Sequence, residues 1–246
     1  PATLTSYRNN FRVHIKPYVG EIPLRELTTY HIQKMLDGIG GSLSTFVKNY
    51  NVIHGALEKA VELGMIPRNP CKGVAFPADD KGDMRVLTQE EQQRFIAALD
   101  GEYYKVMLLT YLYTGMRAGE CIPLQWKDVD LNKRTIRVNK KAILNHDFTK
   151  HSAKQEIQDF CKTKSSKRTV AITAGLTAIL TEHKENMRER AEALGLDWSE
   201  DSLVFWNTRN KIVQYSNLKE SLNKVYRKAG IEGATMHTLR HTYATR

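Results

Sequence analysis

A proline-rich, charged break between residues 67 and 87 sets what this chain can become. Pro67, Pro70 and Pro77, three of its seven prolines, fall there, and Asp79, Asp80, Lys81, Gly82 and Asp83 follow. Proline fixes φ and removes a backbone donor, and a run of charge resists burial, so the stretch reads as a linker. We place a domain boundary near residue 82. At 246 residues the chain is long enough for two domains, each with a core of its own.

The N-terminal side reads as helices. Tyr7, Phe11, His14, Ile15 and Tyr18 recur at three- and four-residue spacing, which predicts a helix over 3–19, with Pro17 near its end and Gly20 after it. Thr28 or Thr29 can cap a second helix to about Gly38, with Ile32, Met35 and Leu36 inward. Ser42 or Ser44 opens a third, to about Leu63, with Phe46, Tyr50, Ile53, Leu57 and Val61 on one face.

The C-terminal side is mixed. Thr88 and Glu91 form a capping box for a helix to about Leu99. Residues 103–113 are apolar enough for a buried helix, Gly115 breaks it, and 118–124 reads as another. Strands are predicted over 134–138, 158–161, 168–172 and 203–206. The polar, lysine-rich stretch 145–156 reads as a loop or an extended hairpin. Further helices cover 174–193 and 216–230, and Thr235 caps a last one. The fold class is therefore mainly α with a small β-sheet (α+β), a helical domain over 1–82 followed by a mixed domain over 83–246.

Charge bears on the partner. The chain carries 37 Lys+Arg against 27 Asp+Glu, a formal +10, with a pI near 9.4. Such a surplus suits a polyanion, nucleic acid first, or else a solvated basic surface. Cys71, Cys121 and Cys161 are far apart and odd in number, which argues against a disulfide framework and for a reducing cytosol. No apolar run approaches membrane-spanning length, and no signal peptide opens the sequence. The start at Pro1 suggests a chain cut from something longer. There is no glycine-rich phosphate loop and no carboxylate cluster for a two-metal site.

Two stretches concentrate the chemistry. In TGMRAGE, Arg117 sits at the turn into a helix, where free N–H groups and the helix dipole favour an anion. In MHTLRHTYAT, His237 and Arg240 lie one helical turn apart on one face. Two guanidiniums and an imidazole suit a phosphodiester, since arginine grips two oxygens at once and histidine can donate to a third or move a proton. Each also has a structural reading. Arg117 can pair with Glu120, and His237 with His241 has the spacing of a metal pair, but HTLRH lacks the glutamate of HExxH and shows no third ligand. Lys34, Ser44, Thr45, Lys48, Asn49 and Asn51 can meet phosphates and base edges, or only water. Lys164, Lys167 and Arg168 read as backbone contacts or as a charged hairpin tip.

Arg117 in TGMRAGE, the stretch Lys162-Thr-Lys164-Ser-Ser-Lys167-Arg168, and His237-x-x-Arg240 in HTLRH together resemble the tyrosine recombinase (phage integrase) family. The likeness covers nearly the whole chain and is nearest in character to integrases of Gram-positive conjugative transposons and phages. It implies a core-type DNA-binding domain followed by a catalytic domain, and site-specific DNA recombination through a 3′-phosphotyrosyl link that integrates or excises a mobile element. By the same resemblance Arg117 and Arg240 clamp the phosphate, His237 donates or carries a proton, and Lys162 is the general acid, with Lys164 as the alternative. Glu120 becomes an orienting carboxylate and His241 a support through a hydrogen bond. Leu124, Trp126 and Asp128 match the family's structural sequence. No cofactor is implied, neither ATP nor metal. The implied partners are double-stranded DNA, a homotetramer across two duplexes, and accessory DNA-bending or excision factors, in a bacterial cytoplasm at the nucleoid. The family's nucleophilic tyrosine lies some tens of residues beyond HxxR, so the resemblance implies a catalytic domain truncated at its C-terminus here. Tyr243 is one turn from Arg240, too close to flank a phosphate in line with it. A cleavage-dead DNA-binding fragment, a type IB topoisomerase-like enzyme and an unrelated basic protein remain as alternatives.

Overall fold

The computed structural model describes residues 2–78, 84–147, 152–159 and 167–245, with backbone only at 2, 3, 144–147 and 152–154. The chain divides into two compact units, Pro1–Gly82 and Asp83–Arg246, each with its own apolar core.

The first unit opens on α1 (Ala2–Asn10), which passes through a π-helical turn (Phe11–Ile15) into α2 (Lys16–Val19). Pro17 accounts for the turn. Its nitrogen cannot donate into the helix, and the Lys16 N–H reaches back five residues to the Phe11 carbonyl. The wider turn shifts the phase of the apolar stripe. Of its five predicted members Ile15 alone is buried, while Tyr7, Phe11 and Tyr18 stand about half exposed. Thr28 caps α3 (Thr29–Ile39) by accepting from the His31 N–H, and α4 (Leu43–Glu62) follows. Phe46, Ile53, Leu57 and Ala60 of α4 pack with Ile32, Met35 and Leu36 of α3.

The predicted linker begins later than proline content suggests. Asn69 Oδ1 accepts from the Cys71 N–H at 2.9 Å and closes a 3-10 turn, Pro70–Gly73. Gln33 donates to the Ala75 carbonyl at 3.3 Å and accepts from its N–H at 2.8 Å. The Phe76 ring lies 5.3 Å from Phe46 and 4.8 Å from Tyr50, centroid to centroid. Residues 67–76 thus belong to the first unit, because their backbone groups and one aromatic ring find partners there.

In the second unit α5 (Gln89–Ala98) starts on the Thr88–Glu91 capping box. Next, α6 (Lys105–Thr114) is buried on nearly every side, through Met107, Leu108, Leu109, Tyr111 and Leu112, as an all-apolar helix must be. One turn, α7 (Ala118–Cys121), replaces the helix predicted to Leu124; Pro123 lacks the donor that the next turn needs. The strands β1 (Val129–Asp130), β2 (Thr135–Val138) and β5 (Arg168–Ala171) form an antiparallel sheet in the order β1-β2-β5, with Val129 opposite Ile136 and Val138 opposite Arg168. Between β2 and β5 the chain leaves the sheet. β3 (Lys140–Asp147) and β4 (Ser152–Asp159) pair as a separate antiparallel ribbon, from Lys140 opposite Asp159 to Asp147 opposite Ser152. Residues 145–147 and 152–156 therefore lie in paired strands, and 148–151 lie outside the described residues. The predicted strand over 158–161 is the end of β4, with Phe160 and Cys161 outside the described residues.

Three helices complete this unit: α8 (Ala174–Ala193), α9 (Tyr215–Lys228) and α10 (Met236–Ala244). The predicted strand 203–206 is not one. It makes only single bridges, Leu203 to Gln125 and Trp206 to Ile212, because its two ends face different segments and no ladder can propagate. Among the described residues no helix is long and apolar enough to cross a membrane.

Candidate active site

The site is built around the sharp turn from α6 into α7. Gly115 ends α6 with φ 58°, a left-handed conformation that glycine adopts at little cost. A Cβ on Gly115 would lie 2.4 Å from Cδ1 of Tyr243, so the same glycine also makes room for that ring. Two residues on, extended Arg117 caps α7. Its N–H donates to Glu120 Oε2 at 2.8 Å and its Nη1 to Glu120 Oε1 at 3.1 Å. The Arg117 side chain is 60% exposed while that of Glu120 is 4% exposed, so the guanidinium is held through one terminal nitrogen and otherwise faces outward. A second arginine reaches the same carboxylate. From β5, Arg168 donates Nη1 to Oε1 at 3.0 Å and Nη2 to Oε2 at 2.7 Å, the bidentate fork that arginine makes with a carboxylate.

α10 brings in the other motif. Thr235 and Thr238 form its capping box. Thr238, Leu239 and Thr242 face inward, and the Thr242 hydroxyl donates to the Thr238 carbonyl and accepts from the Leu87 N–H, each at 2.8 Å. On the half-buried side, Arg240 Nη1 donates to the Gly115 carbonyl. Arg240 is thus tied to the turn from which Arg117 emerges. His237 is exposed one turn before it. The half-buried His241 ring lies 6.3 Å from that of His237, and among the described residues it makes no hydrogen bond.

The electrostatics favour an anion. Burial pushes the Glu120 carboxyl up, but hydrogen bonds from Arg168 and from the Arg117 N–H outweigh it and hold the group below the ordinary carboxylate value. Glu120 is therefore a carboxylate, facing Arg117 and Arg168. Arg240 is pulled below the usual guanidinium value by burial first and then by the positive charges of Arg117 and Arg168, with Glu120 opposing. Three guanidiniums around one carboxylate leave a positive surplus, which a phosphate would relieve.

Other sequence-predicted residues fall elsewhere. Lys162 and Lys164 lie outside the described residues, and Lys167 is exposed. Arg168 is not a free backbone contact, since its fork is occupied by Glu120. In the first unit Lys34 and Lys48 are exposed, and the half-buried Thr45 has its hydroxyl 3.3 Å from that of Ser42. Asn49 is 1% exposed, with its amide donating to the Thr45 carbonyl at 2.9 Å. It cannot read a base edge from there; its spacing from Phe46 and Ile53 puts it on the buried stripe of α4. That spacing was visible in the sequence and was outweighed by the polarity of asparagine.

One polar cluster has no counterpart among the predicted site residues. Asp128, with a side chain 1% exposed, accepts from Arg137 at 2.9 Å, Lys140 at 3.0 Å and Asn139 at 2.8 Å. Burial pushes its carboxyl up, but the bonds from Lys140, Arg137 and Asn139 prevail and hold it below the ordinary value. The signal available was the two-residue spacing of Arg137 and Asn139 at the end of β2, with Lys140 next to it, which reads equally as a solvated edge.

Comparison with known proteins completes the assignment. Residues 85–246 match the phage integrase family, and residues 1–39 match the phage integrase N-terminal SAM-like domain. The chain is 29% identical to a tyrosine recombinase XerC-like protein of Caldanaerobacter subterraneus subsp. tengcongensis, over all of this chain and 67% of that one. It is 28% identical to the integrase of Mycobacterium phage D29, over 97% and 61%, and 30% identical to the ICEBs1 integrase of Bacillus subtilis, over 78% and 50%. It therefore spans between half and about two thirds of the length of these relatives. Among solved structures it superposes on the Tn1549 transposon integrase in complex with a circular intermediate DNA, with a TM-score of 0.82, 18% identity, and coverage of 100% of this chain and 80% of that one. A lambda integrase dimer bound to a COC′ core site gives 0.70 at 17% identity, over 99% and 78%. At such identities these superpositions establish the fold, α+β with small antiparallel sheets. By the match over residues 85–246, two thirds of its length, the chain belongs to the phage integrase family.

Proposed function

We propose that this chain is the DNA-binding and catalytic portion of a site-specific recombinase that cuts and rejoins duplex DNA to move a mobile element. One observation carries the reading: Arg240 is fastened to the Gly115 carbonyl, at the turn that presents Arg117, so two arginines distant in sequence converge on one place. The relatives support it, since a transposon integrase and lambda integrase of the same fold are each bound to DNA. In this proposal residues 1–82 are the core-type DNA-binding domain and 83–246 the catalytic domain.

The step balances without a cofactor. A tyrosine hydroxyl attacks the phosphorus, the bond to the 5′ oxygen breaks, and a 3′-phosphotyrosine forms. The 5′ hydroxyl of a partner strand then reverses the step, so the bond energy is kept. Arg117 and Arg240 neutralise the charge on the five-coordinate phosphorus, His237 donates to a non-bridging oxygen, and Lys162 protonates the leaving oxygen. The attacking tyrosine is not assigned to a residue of this chain; Tyr243 packs on Gly115. Assembly on two duplexes as a tetramer, with accessory DNA-bending factors, in a bacterial cytoplasm at the nucleoid, belongs to the same reading. A lambda integrase tetramer bound to a Holliday junction has the fold, at a TM-score of 0.68.

The test is covalent trapping of the intact protein on a nicked recombination site. Arg117→Lys and Arg240→Lys should each slow adduct formation by about 100- to 1000-fold, the usual effect of removing one transition-state donor, with duplex binding largely kept. Undiminished trapping in both variants would overturn the reading, because lysine cannot make the two-oxygen grip. Duplex retention with no adduct from the wild-type protein would favour a binding module.

A further inference from the structure

The stretch 162–168 holds several basic residues that sequence alone treats alike, and Arg168, the last of them, has a defined partner. Its fork is closed on Glu120, at 3.0 Å and 2.7 Å, and its side chain is 32% exposed against 60% for Arg117. Backbone register explains how it gets there. Arg168 opposes Val138 at the last rung of the β2–β5 ladder, where the chain returns from the β3–β4 excursion. It is therefore the first residue after the lysine-bearing stretch 162–167 to be fixed by the sheet. Glu120 in turn holds Arg117 by both its backbone N–H and its guanidinium. The three residues form one chain of contacts from β5 through a buried carboxylate to the exposed arginine.

We infer that Arg168 is a positioning residue, which aims Arg117 through Glu120 without itself touching DNA. The inference rests on the recombinase reading above. Without Arg168, Glu120 keeps one arginine partner on its own element, loses two hydrogen bonds, and is free to rotate and carry Arg117 with it.

Among the described residues, the charged and titratable groups facing Glu120 are few. They are Arg117 and Cys121 from its own turn, Arg168 from β5, Arg240 from α10 and Tyr111 from α6. Burial pushes both Cys121 and Tyr111 up, so they stay neutral. Removing the Arg168 charge therefore leaves burial less opposed, and the Glu120 carboxyl titrates at higher pH. Protonation turns one Glu120 oxygen into a hydroxyl and removes the negative charge, which weakens its hold on the N–H and the guanidinium of Arg117.

The experiment uses the intact protein with Arg168→Gln, Arg168→Lys and Arg117→Ala, on a nicked duplex site. It reads three quantities: duplex affinity against salt, single-turnover cleavage against pH, and thermal unfolding. For Arg168→Gln we expect cleavage of bound DNA to fall about 10- to 100-fold, in line with general losses from misplaced catalytic groups, with affinity and its salt slope unchanged. The acid limb of the cleavage profile moves to higher pH. Arg168→Lys keeps the charge but not the fork, and falls between wild type and Arg168→Gln; it carries the test if the glutamine variant does not fold. The inference is overturned if the salt slope drops by about one and cleavage of bound DNA is normal, the signature of a phosphate contact. It is equally overturned if cleavage falls by the same factor at every pH, in step with lost folded protein. If Arg117→Ala itself cleaves normally, the recombinase assignment of the clamp fails, and that outcome is separate from either of these.

Discussion

Gly115 meets two demands at one residue. Its φ of 58° is costly for any residue with a side chain, and a Cβ there would press on the Tyr243 ring at 2.4 Å. Gly115→Ala should therefore destabilise the protein by about 1–3 kcal/mol, the range for a strained backbone conformation that the surroundings enforce. Denaturant unfolding measures this. A double variant with Tyr243→Ala should lose less than the two single losses added together, since the ring is the other half of the clash. Strict additivity would show that the ring does not press on this position. The sequence TGMR predicted the break after α6, but not that a ring from the far end of the second unit uses the missing side chain. The same distinction holds for Asn49. Its polarity was legible, whereas its burial depended on which face of α4 the rest of the unit covers.

Among elements, the β3–β4 ribbon shows most clearly what local patterning could and could not supply. Polar, lysine-rich sequence read as loop or hairpin, and the pairing runs from Lys140 opposite Asp159 to Asp147 opposite Ser152. The anchor at its root is Asp128, which gathers Arg137 and Asn139 at the end of β2 and Lys140 at the start of β3. Asp128→Ala removes the common acceptor and leaves Lys140, 16% exposed, beside an unpaired buried site. We expect a loss of about 3 kcal/mol, at the low end for breaking a buried pair because Arg137 can turn to water. Urea unfolding checks the magnitude. Adding Lys140→Met should recover part of the loss; no recovery would place the cost in packing around Asp128 instead. A few residues away, α7 stops a turn early because Pro123 cannot donate, a feature that proline chemistry made readable and that the apolar pattern to Leu124 obscured.

For the whole molecule, the decisive fact is that each unit buries its own core. Leu108, Trp126, Ile136 and Leu222 belong to one continuous cluster of the second unit, and Ile32, Met35, Leu36 and Ile53 to that of the first. A chain of residues 84–246 should therefore fold alone, keep its helical circular dichroism, and unfold in one cooperative transition. A broad transition with dye-accessible apolar surface would mean that its core needs the other unit. The same fragment would carry the Arg117, Glu120, Arg168 and Arg240 cluster intact.

By itself the sequence determined the two-part division, the helical and mixed characters of its halves, the capping boxes and the two arginine motifs. Each of these is written in residues close together: proline and charge, three- and four-residue apolar spacing, a hydroxyl three residues before its partner. Only the tertiary structure decided which polar groups face which. Arg168 could be a phosphate contact or a half-buried fork on Glu120 until β5 was registered against β2, and Arg240 could point anywhere until α10 lay beside the Gly115 carbonyl. The physical reason is common to both. A charged side chain keeps its meaning open until packing removes water from one side of it, and the partner it then takes is set by chain segments far away in sequence.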